Sequence, residues 1–201
     1  MSRQAAKPQK TTEPPLARKD WIDAAIEMMA EDNIEALRVD TLAERLGVTK
    51  GSFYWHFKGR EDLLFSVLEA WRLQMTSQIR SLIADTSGTP WERIERLLRI
   101  AISARPDVPG GPFEVTLRDW ARRDAKVALI VREVDNARFD FARQLYRDAG
   151  LSEADASDYA ELHMAFVIGS RMTLAAEDRE EVQRKRRIAV ALLLPRNRVG
   201  D

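Results

Sequence analysis

Apolar residues recur along most of the chain at intervals of three and four positions, and no run alternates apolar and polar residues with a period of two. Intervals of three and four place apolar side chains on one face of a helix. The pattern therefore predicts an all-α protein of about nine helices. We expect them at about residues 18–32, 39–46, 49–56, 60–84, 90–104, 113–122, 124–148, 153–176 and 178–194.

Capping residues support several of these boundaries. Thr89 precedes Pro90, a residue well suited to the first helical position, and Glu92 lies where its side chain reaches back to the cap. Ser152 and Asp155 form a similar start for the eighth predicted helix.

Composition narrows the possible classes of function. The chain has 201 residues, enough for one or two domains, and 45% of them are apolar. It has no cysteine, which excludes disulfides and thiolate metal sites and suits a cytoplasmic protein. With only His56 and His163 as histidines, we expect no metal and no cofactor. The apolar stretch 188–194 is too short to span a membrane, and no signal peptide is visible, so no membrane partner is expected.

The formal charge is balanced, with 32 basic against 32 acidic side chains. Its distribution is uneven, because residues 45–60 contain Arg45, Lys50, Lys58 and Arg60 and no acid. A phosphate-binding surface is therefore expected in this stretch.

The second and third predicted helices have the spacing of a helix-turn-helix. Gly47 permits a sharp turn between them, and the small Ala43 lets them approach closely. Phe53 and Phe57 mark the inward side of the third helix, and its other residues are polar, small or amphipathic. A helix of this width fits the major groove of DNA.

The stretch LAERLGVTKGSFYWHFKGREDLL, residues 42–64, resembles the DNA-binding signature of the TetR family of transcriptional regulators. It combines a Gly-Val turn, a Lys-Gly-Ser run, a Phe-Tyr-Trp trio and an acidic start to the next helix. The motif covers about residues 18–68, and beyond it only helical architecture and length agree. The resemblance implies an N-terminal three-helix DNA-binding domain followed by a helical-bundle domain for ligand binding and dimerisation.

The resemblance divides the chain into three parts. Residues 18–60 form the DNA-binding domain and residues 61–201 the ligand-binding and dimerisation domain. Residues 1–17 contain three prolines and carry a net positive charge, which indicates a flexible basic arm. We favour a solvated terminus over an arm that contacts DNA.

The resemblance also implies which residues contact DNA. Those at the start of the third helix are expected at base edges or nearby phosphates, although Thr49 has a second expected role as helix cap. The aromatic residues that follow are expected at the sugar–phosphate backbone and thymine methyls, and two basic residues at phosphates near the start of the fourth helix. These residues are Thr49, Lys50, Gly51, Ser52, Tyr54, Trp55, His56, Lys58 and Arg60.

Two positions depart from the family pattern. Many members have a threonine cap before the second helix, where this chain offers Asp40 as a cap or Arg38 as a phosphate contact. A glycine usually follows the first helix, and Asn33 is expected to take its left-handed conformation here.

In the family, the C-terminal domain binds a small-molecule effector and dimerises through the last two helices. Ordinary core packing is the alternative for each candidate pocket residue. The candidates are Trp71, Met75, Phe113, Trp120, Phe141, Tyr146, Phe166 and Arg171.

His163 shares a helix face with Tyr159, Phe166 and Arg171. This face orients a ligand or meets a partner subunit, and we favour the interface. The basic run 184–187 is expected to face neighbouring acids or the partner chain rather than DNA.

The sequence thus favours a transcriptional regulator, most plainly a repressor that an effector releases from a palindromic double-stranded operator. An effector-independent DNA-binding or co-regulatory protein of the same fold is the alternative. An enzyme with an accessory helix-turn-helix is disfavoured, because no phosphate loop and no nucleophile elbow is found.

Overall fold

A computed structural model describes residues 16–102, 111–172 and 179–194. Within these ranges the chain forms nine helices and no strands, as the periodicity predicts. They are α1 (Arg18–Glu31), α2 (Val39–Arg45), α3 (Lys50–Phe53), α4 (Arg60–Ala84), α5 (Pro90–Ile102), α6 (Gly111–Ala121), α7 (Ala125–Asp148), α8 (Glu153–Met172) and α9 (Arg179–Leu193). The expected arm, 1–17, lies almost wholly outside the described residues.

The local capping signals act as expected. The backbone N–H of Thr89 donates to Glu92 Oε2 at 2.7 Å, and Glu92 N–H donates to Thr89 Oγ1 at 3.3 Å. Asp155 N–H donates to Ser152 Oγ at 3.1 Å. Both pairs satisfy backbone groups that a helix start would otherwise leave without partners.

Three local expectations were wrong. α3 is shorter than predicted, because regular helix gives way to turns after Phe53. Asn33 is not left-handed; instead its Oδ1 accepts the N–H of Ala36 at 3.0 Å and closes a right-handed turn. Asp40 does not cap α2, since Arg38 occupies the cap position without a side-chain cap bond.

Two apolar cores stabilise the molecule. The first joins α1–α4 to α6 and the first half of α7, so it continues across residue 60 into the predicted second domain. The second lies among α5, the second half of α7, α8 and α9. α4 contributes to both, which places one long helix between the helix-turn-helix and the far bundle.

Candidate DNA-binding face and ligand cavity

α3 is held to the protein by aromatic side chains on its inner side. Phe53 is fully buried, stacks on Phe57 at 5.2 Å between ring centroids and meets the edge of Trp21 at 5.5 Å. Gly47, between α2 and α3, has a φ of 67°, a conformation that favours glycine. The turn and this aromatic cluster fix which side of α3 faces outward.

The outer side of α3 and the turns after it presents most of the sequence-predicted DNA contacts to solvent. Trp55 is 89% exposed and Tyr54 is 55% exposed. Ser52 and His56 are half-buried, and Ser52 Oγ donates to the carbonyl of Thr49 at 2.5 Å. The exposed residues of the set are Thr49, Lys50, Gly51, Tyr54, Trp55 and Lys58. Thr49 occupies the cap position of α3, but its side chain makes no cap hydrogen bond.

Acids from other helices bind two of the cations in the acid-free stretch. Arg45 forms a bidentate ion pair with Glu31, with both N···O distances at 2.6 Å. Lys50 Nζ lies 2.8 Å from Asp40 Oδ1, and this contact raises the pKa of the Lys50 ammonium above its usual value. The basic surface that the sequence indicates is therefore partly neutralised in the folded protein.

Arg60 is turned toward the protein. Its Nε donates to the carbonyl of Leu37 at 2.6 Å, and its guanidinium also donates to the carbonyl of Ile34. The expected phosphate role of Arg60 must compete with this internal one. Lys58 remains exposed, and its ammonium makes no salt bridge within the described ranges. Its backbone N–H donates to Asp62 at 2.9 Å, a bond that lowers the pKa of that carboxyl.

A cavity opens in the second half of the molecule, between α4, α5, α7 and α8. Its inner space is about 80 Å³, and all the empty space out to its solvent-filled mouth is about 580 Å³. The lining is mostly apolar, as is common for small-molecule sites. The residues that line it are Met75, Gln78, Ile79, Leu82, Leu97, Ile100, Arg138, Phe141, His163, Met164 and Val167.

Sequence reasoning placed Met75 and Phe141 in a pocket, and both line this cavity. The other candidates with described side chains belong to the packing around it. Trp71, Phe113 and Trp120 belong to the first core, and Tyr146 and Phe166 to the second. The side chain of Arg171 lies outside the described residues.

Arg138, which lines the cavity, belongs to an ion-pair network. Arg138 donates to Glu114 Oε1 at 2.6 Å and to the Met75 sulfur at 2.8 Å, and it lies 3.7 Å from Asp135. Asp135 in turn accepts two bonds from Arg118, at 2.7 and 2.8 Å. The two arginines and two acids balance one another in charge, and Glu114 is only 4% exposed.

His163 is the buried polar group that sequence reasoning assigned to the wrong place. We expected it at a subunit interface, but it is 2% exposed and lines the cavity. Its Nδ1 lies 3.4 Å from the hydroxyl oxygen of Tyr146, which donates to the carbonyl of Leu193 at 3.1 Å. Burial lowers the pKa of His163 to about 4. The imidazole is therefore neutral near pH 7.

α6 connects the cavity wall to the first helix. The Thr116 hydroxyl donates to the carbonyl of Met29, near the end of α1, at 2.8 Å. Arg123 pairs with Glu35 at 2.7 Å, just beyond α1. Glu114, the partner of Arg138, lies on the same short helix, so α6 links a residue of the cavity lining to α1.

The outward faces of α8 and α9 carry apolar side chains. Leu162 and Leu192 are 56% and 64% exposed, and Met172 and Ile188 are also exposed. Arg184 in the basic run pairs with Glu181 at 2.9 Å, which confirms that part of the run faces neighbouring acids.

In the described ranges, no group of three or more His, Asp or Glu side chains could hold a metal ion. None of the helices described combines the length and apolarity needed to cross a bilayer.

Comparisons with known proteins agree with this geometry. The family model "Bacterial regulatory proteins, tetR family" matches residues 22–67. The tetracycline repressor protein class C of Escherichia coli is 30% identical over 175 residues, which cover 84% of this chain and 71% of that repressor. TtgW, an uncharacterized HTH-type transcriptional regulator of Pseudomonas putida, is 37% identical over 68 residues, 34% of this chain and 47% of TtgW.

The chain thus matches about half the length of TtgW. Among solved structures, AibR in complex with isovaleryl coenzyme A and operator DNA has a TM-score of 0.71 at 17% identity, over 89% of this chain and 98% of that one. This likeness shows a shared fold. Taken with the repressor match over 175 residues, these findings show that the chain belongs to the TetR family of bacterial transcriptional regulators.

Proposed function

We propose that the protein is a repressor that binds a palindromic operator as a homodimer and is released from it by a small-molecule effector. The observation that carries the DNA-binding role is the outer side of α3 and of the turn after it. Trp55 is 89% exposed although Phe53 and Phe57, on either side of it, are buried. A tryptophan held in water beside two buried phenylalanines suits contact with sugars and thymine methyls.

The contact set we propose follows the sequence prediction with one change. Lys50, Ser52, Thr49 and Gly51 approach base edges and nearby phosphates, and Tyr54, Trp55 and His56 approach the backbone and thymine methyls. Lys58 supplies the phosphate contact at the start of α4. Arg60 is reassigned to the internal carbonyls that it binds.

Dimerisation through α8 and α9 is supported by their exposed apolar residues. Leu162, Met172, Ile188 and Leu192 lie on the outward side of two neighbouring helices. A twofold interface uses the same patch on both subunits, so one such surface is sufficient. The two α3 helices would then read half-sites one DNA turn, about 34–36 Å, apart.

Effector control is supported by two connections between the cavity and the helix-turn-helix. α4 begins at Arg60 and lines the cavity with Met75, Gln78 and Ile79. α6 carries both Glu114, which binds Arg138, and Thr116, which binds α1. An effector that fits the cavity only in a state with different α4 and α6 positions shifts the population away from the DNA-binding state. The AibR complex shows that another protein of this fold has been captured with both an acyl-coenzyme A and operator DNA.

The first experiment is selection of bound fragments from a random DNA pool at near-physiological salt. We expect an enriched palindrome with half-sites about one helical turn apart, and a dimer in analytical ultracentrifugation. Trp55→Ala should lose that enrichment while remaining folded, because Trp55 makes little contact with the core. Absence of enrichment from folded, dimeric protein would count against the proposal. Enrichment that no effector changes would support the effector-independent alternative.

A further inference from the structure

The hydrogen-bonding state of His163 follows from its neighbours. A tyrosine hydroxyl has one hydrogen, and that of Tyr146 donates to the carbonyl of Leu193 at 3.1 Å. The same hydroxyl oxygen, 3.4 Å from His163 Nδ1, is therefore left to accept. On this ground we assign the ring hydrogen to Nδ1, which leaves Nε2 with a free lone pair.

We take Nε2 as the ring nitrogen on the cavity side, because Tyr146 engages Nδ1 and His163 lines the cavity. Nδ1 is turned toward Tyr146 in the second core, and Nε2 lies across the ring from it. Among the described residues His163 makes no hydrogen bond besides the one with Tyr146. His163 is 2% exposed and thus presents an unused acceptor to a mostly apolar space, whose other polar groups are the amide of Gln78 and the guanidinium of Arg138. A buried acceptor of this kind favours a ligand that donates to it.

The other ionisable groups at the cavity set the charge of that ligand. Arg138 lines the wall, but Glu114 and Asp135 already bind it, and Arg118 balances the second acid. These four groups sum to no net charge. Because His163 is neutral near pH 7, no described group at the lining offers an uncompensated charge to an ionic ligand.

We infer that the effector is an uncharged, largely apolar molecule with one O–H or N–H group that donates to His163 Nε2. Phenols with a short alkyl chain are the simplest members of this class. The inference rests on the proposed function for its regulatory meaning, and on the cavity alone for its binding chemistry.

The test compares ligands of nearly equal shape. Dissociation constants are measured by isothermal titration for 4-alkylphenols of increasing chain length, for the corresponding 4-alkyltoluenes and for the 4-alkylbenzoates. We expect the best phenol to bind about tenfold or more tightly than its toluene, since the toluene leaves Nε2 without a donor. We expect the benzoate to bind more weakly than the phenol.

Two variants test whether the preference for phenols depends on His163 Nε2. His163→Asn keeps a donor near the position of Nδ1 and removes the acceptor at Nε2, so the phenol preference should fall to near unity. His163→Gln places an amide acceptor near Nε2 and should retain part of the preference. Equal affinities within the wild-type pairs would overturn the inference even if neither variant folds. Tighter binding of benzoates, absence of any phenol binding, or a preference that persists in folded His163→Asn would also overturn it.

Operator selection with the same wild-type preparation separates this inference from the proposed function. Operator enrichment without phenol binding would refute the inference about the ligand and still support the proposed function. Phenol binding without operator enrichment would count against the proposed function and still support the inference about the cavity.

Discussion

Replacing Arg60 tests whether its guanidinium stabilises the fold or binds DNA. Its Nε donates to the carbonyl of Leu37 and a terminal nitrogen to that of Ile34, at the end and the start of the turn between α1 and α2. Hydrogen bonds to a charged group contribute about 1.5–3 kcal/mol each, and the half-buried position calls for the lower part of that range. Arg60→Met removes both bonds and should lower the free energy of unfolding by about 3–4 kcal/mol. For a chain of this size that corresponds to a fall in Tm of about 5–15 °C.

The assay combines urea unfolding with operator binding at several salt concentrations. Lys58→Met is the matched control, because Lys58 is exposed and has no such carbonyl partners among the described residues. It should leave the Tm within about 1 °C, weaken binding to all DNA and reduce the salt slope by about 1. The reasoning is refuted if Arg60→Met keeps wild-type stability and instead loses one unit of salt slope.

Three further predictions concern other contacts. Asp40→Asn frees Lys50 for DNA, so binding to operator and random DNA should tighten about 2–5-fold and the salt slope should steepen by about 0.9; the exposed Asp140→Asn is the control, and an unchanged slope would contradict this role. Since burial lowers the pKa of His163 to about 4 from its unfolded value near 6.5, the unfolded chain takes up this proton more readily. The free energy of unfolding should therefore fall by about 3 kcal/mol on account of His163 as the pH drops from 6.5 to 4. His163→Gln should make the free energy of unfolding, measured with urea at each pH, depend less on pH in this range; an equally steep dependence would refute the burial of a neutral His163. Thr116→Val should cost about 0.5–1.5 kcal/mol of stability and reduce the effect of any effector on operator affinity, whereas Thr76→Val, whose hydroxyl bonds within α4, should change stability alone.

The sequence predicts a structural feature correctly wherever that feature depends on residues close together in the chain. The Thr89 and Ser152 caps were predictable because each partner lies three residues away. The helix count was predictable because the apolar spacing records which face each helix buries. Asn33 was misassigned because a glycine-like conformation was transferred from other family members, and here its side chain forms a turn of its own.

Which cations of residues 45–60 are bound within the protein could not be predicted from that stretch alone. Arg45 is bound by Glu31, 14 residues earlier, and Arg60 by carbonyls 23 and 26 residues earlier. The cavity was only partly predictable for the same reason. Met75 and Phe141 stand out as large apolar residues, but the role of His163 depends on Tyr146, which lies on another helix.

The internal binding of cations on the DNA-binding side has a consequence for the behaviour of the protein in a genome. Random DNA attracts a protein almost entirely through phosphates, and a chromosome offers about a million or more such competing sites. Arg45 is bound by Glu31 and Lys50 by Asp40, so these two cations attract the phosphates of random DNA less strongly than unpaired ones would. On the proposed contacts, each stay on random DNA is therefore shorter, and a molecule samples more sites in the same time.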